Sequence, residues 1–293
     1  MKYFILSASA LSLLAACGGG GGSDRAAFSD RAEFVSFAEA QSEGGEYRAD
    51  GTVTSAGYEI SSDGTVTITD GPDTERDAVA GLSFEDGVIS ALAVRDSDAD
   101  ITLAEENGDG MIVTDGYIIA ATEDGDNVAI VADTDQLYYN YQSYGIWQTG
   151  LNGDSGRAAA GSFGAETASD QMPDTGTASY YGESVGQVVT DGVDYATQSS
   201  VYVGTDFEDV YVSSAGTYAY DPINDTYVEG RSDLDFEATG SIDGSGFSAE
   251  IADAGMAGDV AGQFYGPGAQ EVGGTFSAVT DDSEYLGSFG ASQ

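Results

Sequence analysis

The sequence predicts a mainly β protein, an N-terminal β-rich region followed by a closed antiparallel barrel, and three observations carry that prediction. Val, Thr, Tyr and Phe recur in short alternating runs, with 18 Tyr and 12 Phe in 293 residues. Glycine outnumbers proline 42 to 4, so many backbone positions need a positive φ and few need a fixed kink. Turn pairs such as Asp63-Gly64 and Asp86-Gly87 separate the runs at hairpin spacing. With 41% hydrophobic residues the chain has material for real cores.

The chain opens with "MKYFILSASALSLLAAC": one positive residue, Lys2, then an apolar run from Tyr3 to Leu14 too short to span a bilayer as a mature helix. Leu14-Ala15-Ala16-Cys17 resembles a bacterial lipobox, which predicts a signal peptide over 1–16 and lipid attached to Cys17. Cys17 is the only cysteine, so no intramolecular disulfide can form. "GGGGGS" (18–23) reads as a flexible tether, and residues 17–28 form the lipidated linker. Gly18, rather than aspartate, after the cysteine suggests delivery to the outer membrane.

Residues 29–43, "SDRAEFVSFAEAQSE", predict a helix: Asp30 caps, Glu33 completes a capping box, and Phe34, Phe37 and Ala38 share a face. Gly44-Gly45 stops it. From Tyr47 to about residue 136 the pattern is a meander of hairpins, and residues 29–137 are assigned to the helix plus this β-rich region. In "QLYYNYQSYGIWQTG", Tyr139, Tyr141, Ser143, Gly145 and Trp147 fall on one strand face, and a Gly- and Ala-rich connection is expected from Leu151 to Ala168. Strands then recur at about ten-residue spacing, eight or nine of them from Tyr139 onward, the number at which a small barrel closes. Residues 138–293 are assigned to that barrel.

"GQFYGPGAQEVGGTF" (262–276) reads as a structural corner. Phe264-Tyr265 ends one strand, Gly266-Pro267-Gly268 turns, and Gly273-Gly274 lets the backbone bend before Thr275-Phe276 begins the return. Glu271 sits among these turns, where its carboxylate can accept otherwise orphaned backbone N–H groups.

The same stretch resembles the signature of the barrel domain in transferrin-binding protein B and its relatives, which include factor H-binding protein and hemophilin. "YGIWQTG" (144–150) is similar to the aromatic strand that opens such barrels, "MPDTGTASYYGESVG" (172–186) to a second family strand, and "GSGFSAEI" precedes the corner. The resemblance covers about 139–293. It implies an eight-stranded barrel behind a β-rich handle, lipid-anchored and often moved to the cell surface by an outer-membrane translocator. Known relatives bind host proteins or haem through variable loops outside these motifs, so no ligand-binding residue carries over.

Charge and missing residue types exclude much else. Lys and Arg total 8 against 51 Asp and Glu, a formal net charge of −43, which repels nucleic acid. Gly182-Glu183-Ser184-Val185-Gly186 matches the spelling of a nucleophile elbow, yet the chain has no histidine to serve as base and the segment reads as strand, not strand-to-helix. Without histidine, and with its one cysteine lipidated, it lacks zinc's usual ligands. No cofactor is expected, and two alternatives stay open. Tyr138, Tyr139, Tyr141 and Tyr144 are candidate haem ligands. "DSDADITLAEEN" (96–107) and "EDGDN" (123–127) are candidate calcium loops, although the first has Ile101 and Asn107 where an EF-hand has Gly and Glu. The sequence therefore predicts a non-catalytic, surface-exposed outer-membrane lipoprotein that binds an extracellular solute or protein, with an outer-membrane transporter or translocator as a further partner. The alternative is a protective acidic envelope lipoprotein without a specific ligand.

Overall fold

The computed structural model describes residues 28–96, 98–114, 116–221, 226–253 and 255–293. The described residues are 66% strand and 7% helix, with a curled N-terminal sheet and a closed eight-stranded antiparallel barrel. The expected signal peptide (1–16), Cys17 and the expected glycine tether lie outside the described residues.

The first sheet holds β1 (Ala32–Glu33), β2 (Gly45–Ile60), β3 (Val66–Glu85), β4 (Val88–Arg95), β5 (Ile101–Ala104), β6 (Gly110–Val113), β7 (Tyr117–Ala121), β8 (Val128–Ala132), β9 (Gln142–Thr149) and β10 (Ser155–Gly164). Its strand order is β5-β4-β3-β2-β10-β9-β8-β7-β6, with β1 paired parallel to β2. Asp86 (φ 51°) and Gly87 (φ 83°) both adopt the left-handed region that a two-residue hairpin requires, and they join β3 to β4.

The barrel comprises β11 (Ala178–Thr190), β12 (Val193–Thr205), β13 (Asp209–Asp221), β14 (Thr226–Gly230), β15 (Phe236–Asp243), β16 (Gly246–Asp253), β17 (Met256–Tyr265), β18 (Glu271–Val279) and β19 (Ser283–Ser292). The order β12-β11-β19-β18-β17-β16-β15-β13 closes through a β12–β13 pairing, and β14 extends the far half of β13. Strict alternation fills the interior. Val201 and Val203 of β12 and Val210 and Val212 of β13 point inward to Phe236, Phe247, Phe264, Phe276 and Phe289.

Three expectations are corrected. The helix α1 spans only Phe37–Glu43 and is capped by Ser36, whose hydroxyl accepts the Glu39 N–H at 3.2 Å, not by Asp30. Ala32–Glu33 is instead bridged to β2, and the Phe34 N–H donates to the Arg48 carbonyl at 2.8 Å. The buried residues are Phe34, Phe37 and Ala40, while Ala38 is exposed, because the chain enters the helix later than the pattern suggests. The aromatic strand 144–150, expected to open the barrel, pairs as β9 within the first sheet. It is buried on both sides: Trp147 joins the core under α1, with its indole N–H donating to the Ala99 carbonyl at 2.8 Å, and Tyr144 and Ile146 face the barrel. The expected connection 151–168 contains a full strand, β10. Its Ala159 and Ala160 are wholly buried, and a Cβ on Gly161 would lie 3.0 Å from the Trp147 ring. Small residues here permit close packing of two sheets, a signal that resembles loop composition when read alone.

The two halves share a seam. Tyr58, Tyr117, Tyr139, Tyr144 and Ile146 pack against Val185 of β11 and Leu286 of β19. Hydrogen bonds cross it from Tyr139 Oη to the Gly290 carbonyl (2.7 Å), Ser288 Oγ to the Gly145 carbonyl (2.7 Å) and Thr54 Oγ1 to Thr275 Oγ1 (2.7 Å).

Candidate functional site

The corner predicted at 262–276 lies on this seam. Phe264 and Tyr265 end β17, and Gly266 (φ 74°) and Gly268 (φ 72°) flank Pro267 in the turn. Glu271 opens β18. A Cβ on Gly266 would sit 2.4 Å from the Tyr141 ring, so no other residue fits there without displacing it. The buried Glu271 carboxylate accepts three N–H groups, from Asn140 (2.7 Å), Tyr141 (3.0 Å) and Gln142 (3.1 Å), at the entry to β9. Gly273 and Gly274 do not bend the chain. Both lie inside β18, where their missing side chains admit Ser162 Oγ and Gln142 Oε1 over Gly273 and the Phe289 ring beside Gly274.

The surface with binding character is the outer wall of β11, β12 and β13. Alternation that sends valine inward sends tyrosine outward. Tyr181 pairs in register with Tyr202 at 5.3 Å between ring centroids, and Tyr202 meets Tyr211 at 6.1 Å. Tyr181 is 66% exposed. The Tyr202 and Ser179 hydroxyls lie 3.2 Å apart, close enough for a hydrogen bond that fixes the ring. Burial and the Glu237 carboxylate raise the Tyr211 hydroxyl pKa above its ordinary value. A shallow, solvent-open depression follows, lined by Ser179, Tyr202, Gly204, Asp206, Asp209 and Tyr211 among others. Further along the wall Tyr218 meets Tyr227 at 5.6 Å, and Tyr227 and Val228 of β14 are exposed. The Tyr218 group is tied to the first sheet through Gln198 and Glu183: Tyr218 Oη donates to Gln198 Oε1 (2.5 Å), and Glu183 Oε2 accepts from Gln198 Nε2 (3.1 Å) and from Tyr117 Oη (3.2 Å).

The other candidates do not converge. Tyr138 is 87% exposed, Tyr139 and Tyr144 are buried in the seam, and Tyr141 packs on Gly266, so the four tyrosines face different surroundings. Segment 96–107 is not one loop: β5 occupies 101–104, and Asp96 and Asp100 accept the backbone N–H groups of Asp98 and Asp96. In 123–127, Asp124 accepts from Thr122 Oγ1 and the Asp126 N–H, which lowers its pKa. Among the described residues no group of three or more Asp, Glu, His or Cys is placed to hold a metal ion. Ser184 is wholly buried inside the barrel beside Ser199.

Two seam carboxyls make the stability depend on pH. Burial raises the pKa of Glu271 above 4.5 despite its three N–H donors, and burial raises Asp194 above 3.8 despite Gln148. A carboxyl whose folded pKa is raised holds its proton longer in the folded state, so its contribution to stability grows as pH falls through that raised value. Asp63, Asp124 and Asp206 are held below 3.8 by hydrogen bonds and act oppositely, losing their contribution only at lower pH. Thermal melts at fixed ionic strength are expected to show a midpoint rising from pH 8 to about 5 and falling below about 3.5. A midpoint that declines steadily from pH 8 to 5 would contradict this assignment.

A closed eight-stranded barrel clamped to a curled sheet, with an aromatic outer wall, defines a barrel-and-handle scaffold. Residues 172–293 match the model of the family described as C-lobe and N-lobe beta barrels of Tf-binding protein B, and that part of the chain is similar to those barrels. The match begins beyond β10. Among solved structures, a point mutant of the vaccine antigen transferrin-binding protein B from Haemophilus parasuis Hp5 aligns at 20% identity, covering 81% of this chain and 51% of that one, with a TM-score of 0.47. Isotype 1 transferrin-binding protein B from serogroup B Neisseria meningitidis aligns at 19% identity, over 81% and 49% of the two chains, with a TM-score of 0.43. The haemoglobin receptor HpuA from Kingella denitrificans aligns at 16% identity, over 85% and 86%, with a TM-score of 0.42. The chain spans about half the length of these two transferrin-binding protein B chains. No curated protein matches it in sequence.

Proposed function

We propose that this protein is an outer-membrane lipoprotein, anchored through Cys17 and displayed at the cell surface, that captures an extracellular protein by non-catalytic binding. The observation that carries the reading is the ordered, outward tyrosine wall of β11–β13. Tyrosine offers large, stiff, amphipathic contact area at low conformational cost, and it is enriched where proteins bind one another. The match of residues 172–293 to the transferrin-binding protein B barrel family supports the same class. An outer-membrane translocator would deliver the protein outward, and a transporter would take up whatever it captures. A purely protective acidic coat gives no reason for three rings ordered into one outward row.

Antibodies raised against the folded protein test the display directly. Intact cells are expected to stain as strongly as permeabilised ones. Staining that requires permeabilisation places the protein inside the envelope and overturns the reading. Amine-reactive labels are unsuitable, because Lys2 is the only lysine.

A further inference from the structure

We propose that the partner docking on the tyrosine wall is cationic: a protein surface or segment rich in Lys and Arg, bound over Tyr181, Tyr202 and Tyr211. This rests on the function proposed above and names the chemistry of its partner. The first ground is charge. The chain carries −43, and the six described arginines are all engaged within the molecule: Arg31 with Glu46, Arg48 with Asp50, Arg95 with Asp100, Arg157 with Asp70, Arg231 with Asp233, and Arg76 on the Phe247 carbonyl and Ser248. None of them lines the depression, where Asp206 and Asp209 stand, with exposed Glu208 and Glu237 on the neighbouring turn and strand.

The second ground is the arrangement of the rings. Tyr181, Tyr202 and Tyr211 are tilted at 54° and 56° to one another, so their faces form a stepped row instead of a flat platform. An ammonium or guanidinium entering such a row meets π-faces, with carboxylates of Asp209 and Glu237 nearby, and both contacts favour a cation. Gly204 contributes no side chain to the floor, and a Cβ there would press on the Tyr202 hydroxyl at 2.9 Å. The same chemistry operates elsewhere in this chain, where the Phe28 ring lies under the guanidinium groups of both Arg31 (4.6 Å) and Arg95 (5.3 Å). An acidic partner would be repelled by the surrounding field, and a neutral glycan would gain nothing from it.

The test uses a fluorescein-labelled twelve-residue peptide of alternating Arg and Gly, with an all-Glu counterpart and a neutral oligosaccharide as comparison probes. Affinity and rates are measured at 150 mM NaCl. Removing the rings in the double variant Tyr202→Ser, Tyr211→Ser is expected to weaken binding at least tenfold, mainly through faster dissociation. The charge variant Glu208→Gln, Asp209→Asn, Glu237→Gln is expected to slow association and flatten its salt dependence. Glu59→Gln, Glu105→Gln, Glu106→Gln removes three exposed charges from the N-terminal half, on β2 and on the short turn after β5, and is expected to leave affinity within twofold. Circular dichroism and melts confirm that each variant folds. Equal binding by the tyrosine variant and wild type, or an equal loss in the N-terminal-half variant, would show attraction to net charge alone and overturn the proposal. Tyrosine-dependent binding of the oligosaccharide or the acidic peptide would overturn it too. Failure of surface staining sinks the display reading and leaves the peptide result standing, so the two failures are distinguishable.

Discussion

Glu271→Ala is expected to destabilise the protein by about 3–5 kcal/mol, the largest effect of any single polar substitution in the seam. The reason is local. One buried carboxylate accepts the N–H groups of Asn140, Tyr141 and Gln142, which otherwise have no acceptor where the chain enters β9. Each hydrogen bond to a charged group contributes about 1.5–3 kcal/mol, and the three share one acceptor, so their contributions do not simply add. Glu271→Gln keeps one oxygen but turns an NH₂ toward the remaining donors, and is expected to cost about 2–3 kcal/mol. Denaturant unfolding measures both. Amide exchange at 140–142 separates a seam effect from a general one, because those three protons should exchange at least tenfold faster while the barrel interior keeps its protection. A Glu271→Gln protein as stable as wild type would show that the corner does not hold the two halves together.

Raising sodium chloride from 10 mM to 1 M is expected to stabilise the folded protein by about 3 kcal/mol, or roughly 6–12 °C in Tm. The chain carries 43 uncompensated negative charges and no free described arginine with which to offset them. Two surface carboxylates about 15 Å apart repel by about 0.3 kcal/mol in water, and folding brings many such pairs together. The Debye length contracts from about 30 Å to about 3 Å over that range, which removes most of the pairwise sum. Thermal melts across the salt series provide the check, with an uncharged osmolyte at matched osmolality as control. A Tm that is flat in salt would mean that the acids are dispersed too widely to oppose folding.

Much of the architecture was legible because its cause is local. The Val-Tyr-Val alternation at 201–203 and 210–212 specifies strands buried on one face, and Asp86-Gly87 specifies a hairpin whatever surrounds it. The strand after Asp209 and the turns around Gly266 follow from the same short-range rules. What the pattern did not reveal depends on partners distant in sequence. The small residues of β10 acquire meaning only beside Trp147 and the barrel wall, and β9 belongs to the first sheet because its edges pair with β8 and β10. Gly273 and Gly274 look like a bend until Ser162 and Phe289 are seen packed over them. The helix start was misplaced because Phe34 gives its N–H to Arg48, fourteen positions away.

The binding wall falls between these cases. Tyr202 and Tyr211 each sit between two inward valines, so period-two reading places both on the outside. Their convergence with Tyr181 into one row requires the register Tyr181↔Tyr202 and Gly204↔Tyr211, which only the paired sheet supplies. No quoted motif contains Tyr202 or Tyr211, and the family segment that contains Tyr181 (172–186) reads as a strand of the barrel with nothing in it that marks the ring for binding.

Site-specific photo-crosslinking on living cells tests the binding role of this wall most directly. A photoreactive amino acid replaces Tyr202, and separately Glu59 on the first sheet, and cells displaying each protein are irradiated in extracellular fluid. The account predicts one discrete adduct from position 202, none from position 59, and loss of the adduct when Tyr211→Ser is added. Identical adduct patterns from both positions, or none from position 202 on cells that stain for the protein, would contradict it.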